Sequence, residues 1–117
     1  MKFFDEVRVR ALLQWDPLID AMEAALSTFS AGEVIQPMRQ MITIEEGQRY
    51  LGVMPAVVRD AMGLKLVSFY PGNTDRALPP HLGLIILAAS ATGEPLAVLD
   101  GRLITEMRTA AVSAAVT

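Results

Sequence analysis

After Gly32 the sequence changes its period, and that switch limits the possible folds more than any other feature of the chain. Before it, Leu18, Met22, Ala25, Leu26 and Phe29 recur at helical spacing. Asp16 as N-cap, Pro17 at the first helical position and Gly32 beyond the last turn would bound that helix. A shorter helical turn is expected over 5–13. Beyond Gly32, MRQMITIE and RYLGVM alternate around Glu45-Glu46-Gly47, the pattern of two strands joined by a tight turn. GLKLVSFY is another alternating run, and PGNTDRALPP, with three prolines and one glycine, reads as a loop long enough to be functional. HLGLIILAA is nearly continuous in apolar residues and predicts a strand buried on both faces. A turn over 90–93, a strand over 94–99 and a break at Asp100-Gly101 follow. From Leu103 onward neither Gly nor Pro interrupts the chain, so a closing helix is expected. The order predicts an α+β fold: a mostly antiparallel or mixed sheet of about five to six strands with helices packed on one face.

The 117 residues have room for one domain, 1–117, and one modest core. Hydrophobic residues make up 52% against 20% charged, so part of the apolar surface is expected to meet a partner. A net charge of -3, with acids and bases interspersed, gives no electrostatic reason for a nucleic-acid partner. The absence of cysteine rules out disulfides, thiolate metal sites and a cysteine nucleophile. Apolar runs such as 82–90 fall short of the ~20 residues of a membrane helix. The opening MKFFDEVRVRALLQWD carries acids and arginines where a signal peptide needs an unbroken apolar core. A cytoplasmic protein without a membrane partner is expected.

Few side chains could carry chemistry. Arg108 stands in the middle of a small, apolar run, where a charge is costly unless something anionic or wet meets it. It is either a ligand contact or a residue on the solvent side of an amphipathic helix. Alternation puts Lys65 on one strand face with Val67 and Phe69, as a lysine snorkelling at a sheet edge or one held for a ligand, and spacing alone favours the edge. Arg39 shares a face with Met41 and Thr43, and spacing favours a solvated strand start. Three cations on separate elements would clamp a carboxylate if they converged, which spacing cannot establish. The single His81, without a second His or any Cys, reads as a strand-start residue and not as a metal ligand. No Ser-His-Asp arrangement, GxGxxG turn or phosphate loop occurs. Met22, Met38, Met41, Met54 and Met62 read as core fillers, although Met54, beside Pro55, also suits a pocket wall.

Together, PMR at 37–39, GVMPA at 52–56, GLKLVSFYPGN at 63–73, LPPHLG at 78–83, TGEPLAVLDG at 92–101 and LITEMRTAAVSAA at 103–115 resemble the ornithine cyclodeaminase and mu-crystallin family. The resemblance runs over essentially the whole chain. It implies a substrate-binding and dimerisation domain at 1–117, with a Rossmann domain for NAD or NADP expected to follow. On that implication the chain is truncated at Thr117, ahead of the strand and GxGxxG turn of the second domain. Arg39, Lys65 and Arg108 match positions that hold the substrate's α-carboxylate, and the Arg108 position is also close to the cofactor's phosphates. The resemblance further implies Lys65 as a catalytic residue in proton transfer, Met54 as a pocket wall and Thr109 as a cofactor contact. Pro80 departs from the pattern, because many relatives carry there a threonine whose hydroxyl faces the cofactor. The aspartate that acts on the substrate amine in cyclodeaminases belongs to the missing domain.

The implied activity is NAD(P)-dependent chemistry at the α-carbon of a small amino or imino acid, in a homodimer. The substrate stays open among ornithine, alanine, cyclic imines and related amino acids. Two alternatives stand beside it. One is a mu-crystallin-like protein that binds a small aromatic or hormone-like acid without turnover. The other is a dimerising fragment, inactive alone because the turn that grips the cofactor is not in these residues.

Overall fold

The computed structural model describes residues 1–59 and 61–116. Thr117, the end of the unfinished helix in the sequence reading, lies outside them. The first helix, α1 (Glu6–Leu12), starts where the Asp5 carboxylate accepts the Arg8 backbone N–H at 2.9 Å, and it buries Val9. The second, α2 (Trp15–Ser30), begins earlier than expected, with Gln14 and not Asp16 as its N-cap. Asp16 and Pro17 instead occupy its first turn. The carboxylate there meets the positive end of the helix dipole, and proline lacks only an N–H that has no acceptor inside the helix. At the other end Gly32 takes φ +75, as anticipated. Gly32 donates to the Phe29 carbonyl at 3.0 Å and Glu33 to the Thr28 carbonyl at 3.2 Å, the bond pair that closes a helix at a glycine.

Seven strands form one mixed sheet: β1 (Lys2–Phe4), β2 (Val34–Ile35), β3 (Gln40–Glu45), β4 (Arg49–Val58), β5 (Ala61–Phe69), β6 (His81–Ala89) and β7 (Pro95–Asp100). Their order is β1-β7-β6-β5-β4, and β2 and β3 share the outer edge of β4. The β1–β7 pair is parallel and the other pairs are antiparallel. The α+β expectation therefore holds, with β1 and β2 as additions too short to display a period. Between β5 and β6 the chain forms a 3₁₀ helix over Pro71–Arg76 instead of an open loop. Buried Asn73 pins it by donating from Nδ2 to the Pro79 carbonyl at 3.0 Å, and Tyr70 N–H reaches the Pro80 carbonyl at 2.8 Å.

The closing helix α3 (Arg102–Val116) lies over the sheet face that carries Val67 and Gly83. Helix α2 packs on α3, and α1 packs on β7 and α3. Ala111 of α3 is 0% exposed, so this small residue serves close packing, whereas Ala110 and Ala114 are exposed. The other sheet face is largely bare. Leu82 and Leu84 of β6, expected to be buried, are 37% and 36% exposed, because an apolar run does not say whether a second layer covers it. No described helix is long and apolar enough to cross a membrane.

Where β7 turns into α3, backbone lies directly on backbone. Gly101 N–H donates to the Gly83 carbonyl at 2.8 Å, and a Cβ on Gly101 would sit 3.1 Å from the Gly83 carbonyl carbon. A Cβ on Gly83 would meet the Leu66 carbonyl oxygen at 2.7 Å. Gly83→Ala should therefore destabilise the fold by about 1–3 kcal/mol, as overpacking does. Urea denaturation measures the loss, and an unchanged midpoint would contradict this close approach.

Candidate functional site

The hydrogen-bond register builds the site. Across the sheet, Met54 pairs with Lys65, Lys65 with Ile85, Ile85 with Leu99 and Leu99 with Phe4, so these five residues form one row on one face. Lys65 therefore stands on a central strand, hydrogen-bonded on both sides. The sheet-edge reading that its spacing favoured is overturned, since β5 has no open flank along which an ammonium could snorkel. Its charge must leave from the face, beside Met54 and Ile85.

Arg39 directly precedes β3, whose first residue Gln40 pairs with Val53, the neighbour of Met54. It is exposed, as a solvated strand start should be, yet its charge acts on Lys65. Arg108, also exposed, acts on Lys65 from α3. Burial first, then the positive charges of Arg108 and Arg39, hold the Lys65 ammonium below the ordinary lysine pKa. Three cations from three elements thus share one electrostatic neighbourhood. Ion pairs bind Arg10, Arg49, Arg59 and Arg102 to glutamates. Among the described residues Arg39, Lys65 and Arg108 form none. Like charges gathered without a counterion against apolar neighbours cost free energy that a bound anion would remove.

A cavity of about 400 Å³ opens between β6 and α3, and Arg39, Met54, Lys65 and Arg108 are not among the residues that line it. Its floor holds Val67, the next residue after Lys65 on the same face of β5, and Gly83, which pairs with Val67 and carries no side chain to fill the space. Thr105 and Thr109 of α3 form part of its wall. Thr109 Oγ1 donates to the Thr105 carbonyl at 2.8 Å, leaving its lone pairs as acceptors. Thr109 thus follows Arg108 in sequence and lines this cavity. His81 begins β6, as expected, and also stands on the cavity rim, which spacing did not reveal. Its ring rests 4.6 Å from that of Phe69, which stacks on Tyr50 at 6.1 Å, giving an aromatic row over three strands. Pro80, immediately before His81, brings no hydrogen-bond donor to this rim. Among the described residues no group of three or more His, Cys, Asp or Glu could hold a metal ion.

The sequence reading also missed a charged network on the same wall. Arg102 donates to Glu106 at 3.0 Å and to Glu6 of α1. The Arg102–Glu106 spacing of one helical turn was visible in the sequence, but the partner 96 positions away was not.

The model of the ornithine cyclodeaminase/mu-crystallin family matches residues 1–117. The chain is 45% identical over 105 residues to the ketimine reductase mu-crystallin of Rattus norvegicus, a match covering 86% of this chain and 34% of that protein. Its fold is similar to that of Thermococcus litoralis Delta(1)-pyrroline-2-carboxylate reductase, solved in complex with NADH and L-proline. That comparison has a TM-score of 0.91 and 34% identity, and covers 97% of this chain and 36% of the other. An archaeal alanine dehydrogenase dimer with bound NAD gives a TM-score of 0.89 and 33% identity over 95% of this chain and 34% of its own. The chain spans about a third of the length of the curated relatives it matches.

The unpaired cations have a consequence for stability. The Lys65 pKa is lower in the folded chain than in the unfolded one, so between those two values the unfolded state binds more protons. Stability should rise with pH through that interval. Lys65→Met should abolish this rise and melt at a higher temperature than the parent at neutral pH, with the gap closing toward 10.5. Thermal denaturation across alkaline pH measures both slopes, and identical slopes would count against the shift.

Proposed function

The chain belongs to the ornithine cyclodeaminase/mu-crystallin family. From that premise we propose that residues 1–117 form the substrate-binding and dimer-forming domain of an NAD(P)-dependent enzyme acting at the α-carbon of an amino or imino acid. The observation that carries the proposal is the set of three cations, Arg39, Lys65 and Arg108, gathered without a carboxylate partner among the described residues. The planar guanidiniums of Arg39 and Arg108 hold the two oxygens of the substrate carboxylate, and the Lys65 ammonium adds a point charge. Met54, opposite Lys65 in the register, supplies an apolar wall at the α-carbon.

Lys65 has a second role. A lysine whose pKa is lowered by burial and by neighbouring cations exchanges a proton more readily near neutral pH than an ordinary one. It gives a proton to the substrate nitrogen when an imine is reduced, and takes one from it in the reverse direction. A site that only held a ligand would have no use for this property, which favours turnover over binding alone. The similarity to a mu-crystallin that is itself a ketimine reductase supports the same choice.

The residues beside the cations suit a dinucleotide. Arg108 has charge to offer a phosphate, and Thr109 presents a hydroxyl to the adjoining cavity. When bound, NAD or NADP exchanges a hydride with the substrate's α-carbon. GxGxxG does not occur in these residues, so Arg108 and Thr109 supply one side of the cofactor's site. The bare sheet face with Leu82 and Leu84 is the surface for the second copy, in keeping with the dimer of the related alanine dehydrogenase.

L-proline titrated into the 117-residue chain should shift the NMR signals of Arg39, Lys65 and Arg108, whereas pyrrolidine, which lacks the carboxylate, should not. Arg108→Leu should weaken L-proline binding by tenfold or more, the weight of a charge-assisted hydrogen bond of about 1.5–3 kcal/mol. Equal responses to the two compounds would remove the carboxylate site. A monomer in sedimentation at micromolar concentration would remove the dimer.

A further inference from the structure

A cation is poorly placed at the first residue of a helix, where the dipole is positive, yet α3 begins with Arg102. The chain compensates with two carboxylates. Arg102 Nη1 donates to Glu106, one turn further along α3, and Nη2 donates to Glu6 at the start of α1. Its side chain is only 27% exposed, so its bond to Glu6 is less screened than the Arg10–Glu6 contact at 3.8 Å, whose arginine is 65% exposed. The two arms come from one rigid fork and therefore fix an orientation as well as a distance.

Glu6 is itself tied to the sheet. It lies two residues beyond Phe4, and Phe4 pairs with Leu99 in the row that continues through Ile85 to Lys65. Thus Arg102 couples the start of α3 to the far end of the row that holds Lys65. Arg108 lies six residues further along α3, about 9 Å by helical rise, so a 10° change in the direction of α3 would displace it by roughly 1.5 Å. A shift of that size matters in a site that depends on convergent cations.

We infer that Arg102 is a positioning residue: steadied by Glu106 on its own helix and bound to Glu6 of α1, it sets the direction of α3 and with it how close Arg108 stands to Lys65. The inference rests on the carboxylate reading of that cluster and extends it to a residue one cavity wall away. Arg102 has no part in holding the carboxylate itself.

The test compares Arg102→Leu, Glu6→Gln and Arg10→Gln in the 117-residue chain, each checked for folding by circular dichroism. The readings are the Lys65 side-chain titration by NMR and the affinity for L-proline. Arg102→Leu and Glu6→Gln should both raise the Lys65 pKa, as Arg108 moves away, and both should weaken L-proline binding by roughly tenfold. Arg10→Gln should change neither. The sign for Glu6→Gln is the decisive part, because deleting a negative charge would by direct electrostatics lower a lysine pKa. Folded variants with the parent's titration and affinity would overturn the inference, as would a lowered Lys65 pKa in Glu6→Gln. If Arg102→Leu fails to fold, Glu6→Gln decides by the same two readings. A parent chain that ignores L-proline, but whose Lys65 titration still moves upward in these variants, would sink the carboxylate reading and leave the positioning role standing.

Discussion

The contact of Gly101 on Gly83 fixes the start of α3, and most of what the chain offers to a ligand depends on that start. With no side chain on either residue, the turn from β7 to α3 comes down onto β6 until backbone meets backbone. The cavity over Val67 and Gly83 has its depth for the same reason. Leu103, buried at the next step, and Arg102, paired in two directions, keep the helix from pivoting about this point. Arg108, exposed six residues further along the helix, is near enough for its charge to act on Lys65.

The chain treats its charges in two ways. Arginines away from the site, such as Arg49 and Arg59, are matched with nearby glutamates. Arg39, Lys65 and Arg108, like Lys2, Arg8 and Arg76, form no ion pair among the described residues, and of the three Lys65 alone is half-buried. Local mismatch of this kind lowers the stability of an empty domain and raises the gain from an anion that completes it.

The sequence disclosed what depends on neighbours in the chain. Alternation identified β3, β4 and β5, the turn over 90–93 and the break at Asp100-Gly101 bounded β7, and Gly32 marked the end of α2. It could not report strand order, and that is why Lys65 read as an edge residue: a central and an edge strand have the same period, and only pairing on both sides separates them. The double burial expected for β6 failed for a related reason. Leu82 and Leu84 are apolar whether or not a layer lies above them. The grouping of Arg39, Lys65 and Arg108 came from the family likeness and not from geometry, since nothing local links positions 39, 65 and 108. Arg102–Glu6 was invisible for the same reason.

The parallel pairing of β1 with β7 also orders events in time. Strands β4, β5, β6 and β7 are consecutive and can zip as successive hairpins, each closing a short loop. Strand β1 has to wait, because its hydrogen-bonding partners lie at 97–99 in β7, the last of these strands in sequence. During synthesis on the ribosome its three residues leave the exit tunnel before the other six strands and find a place last. Phe3 and Phe4 stay uncommitted until then, so the aromatic start of the chain is the part that a nascent-chain chaperone would meet.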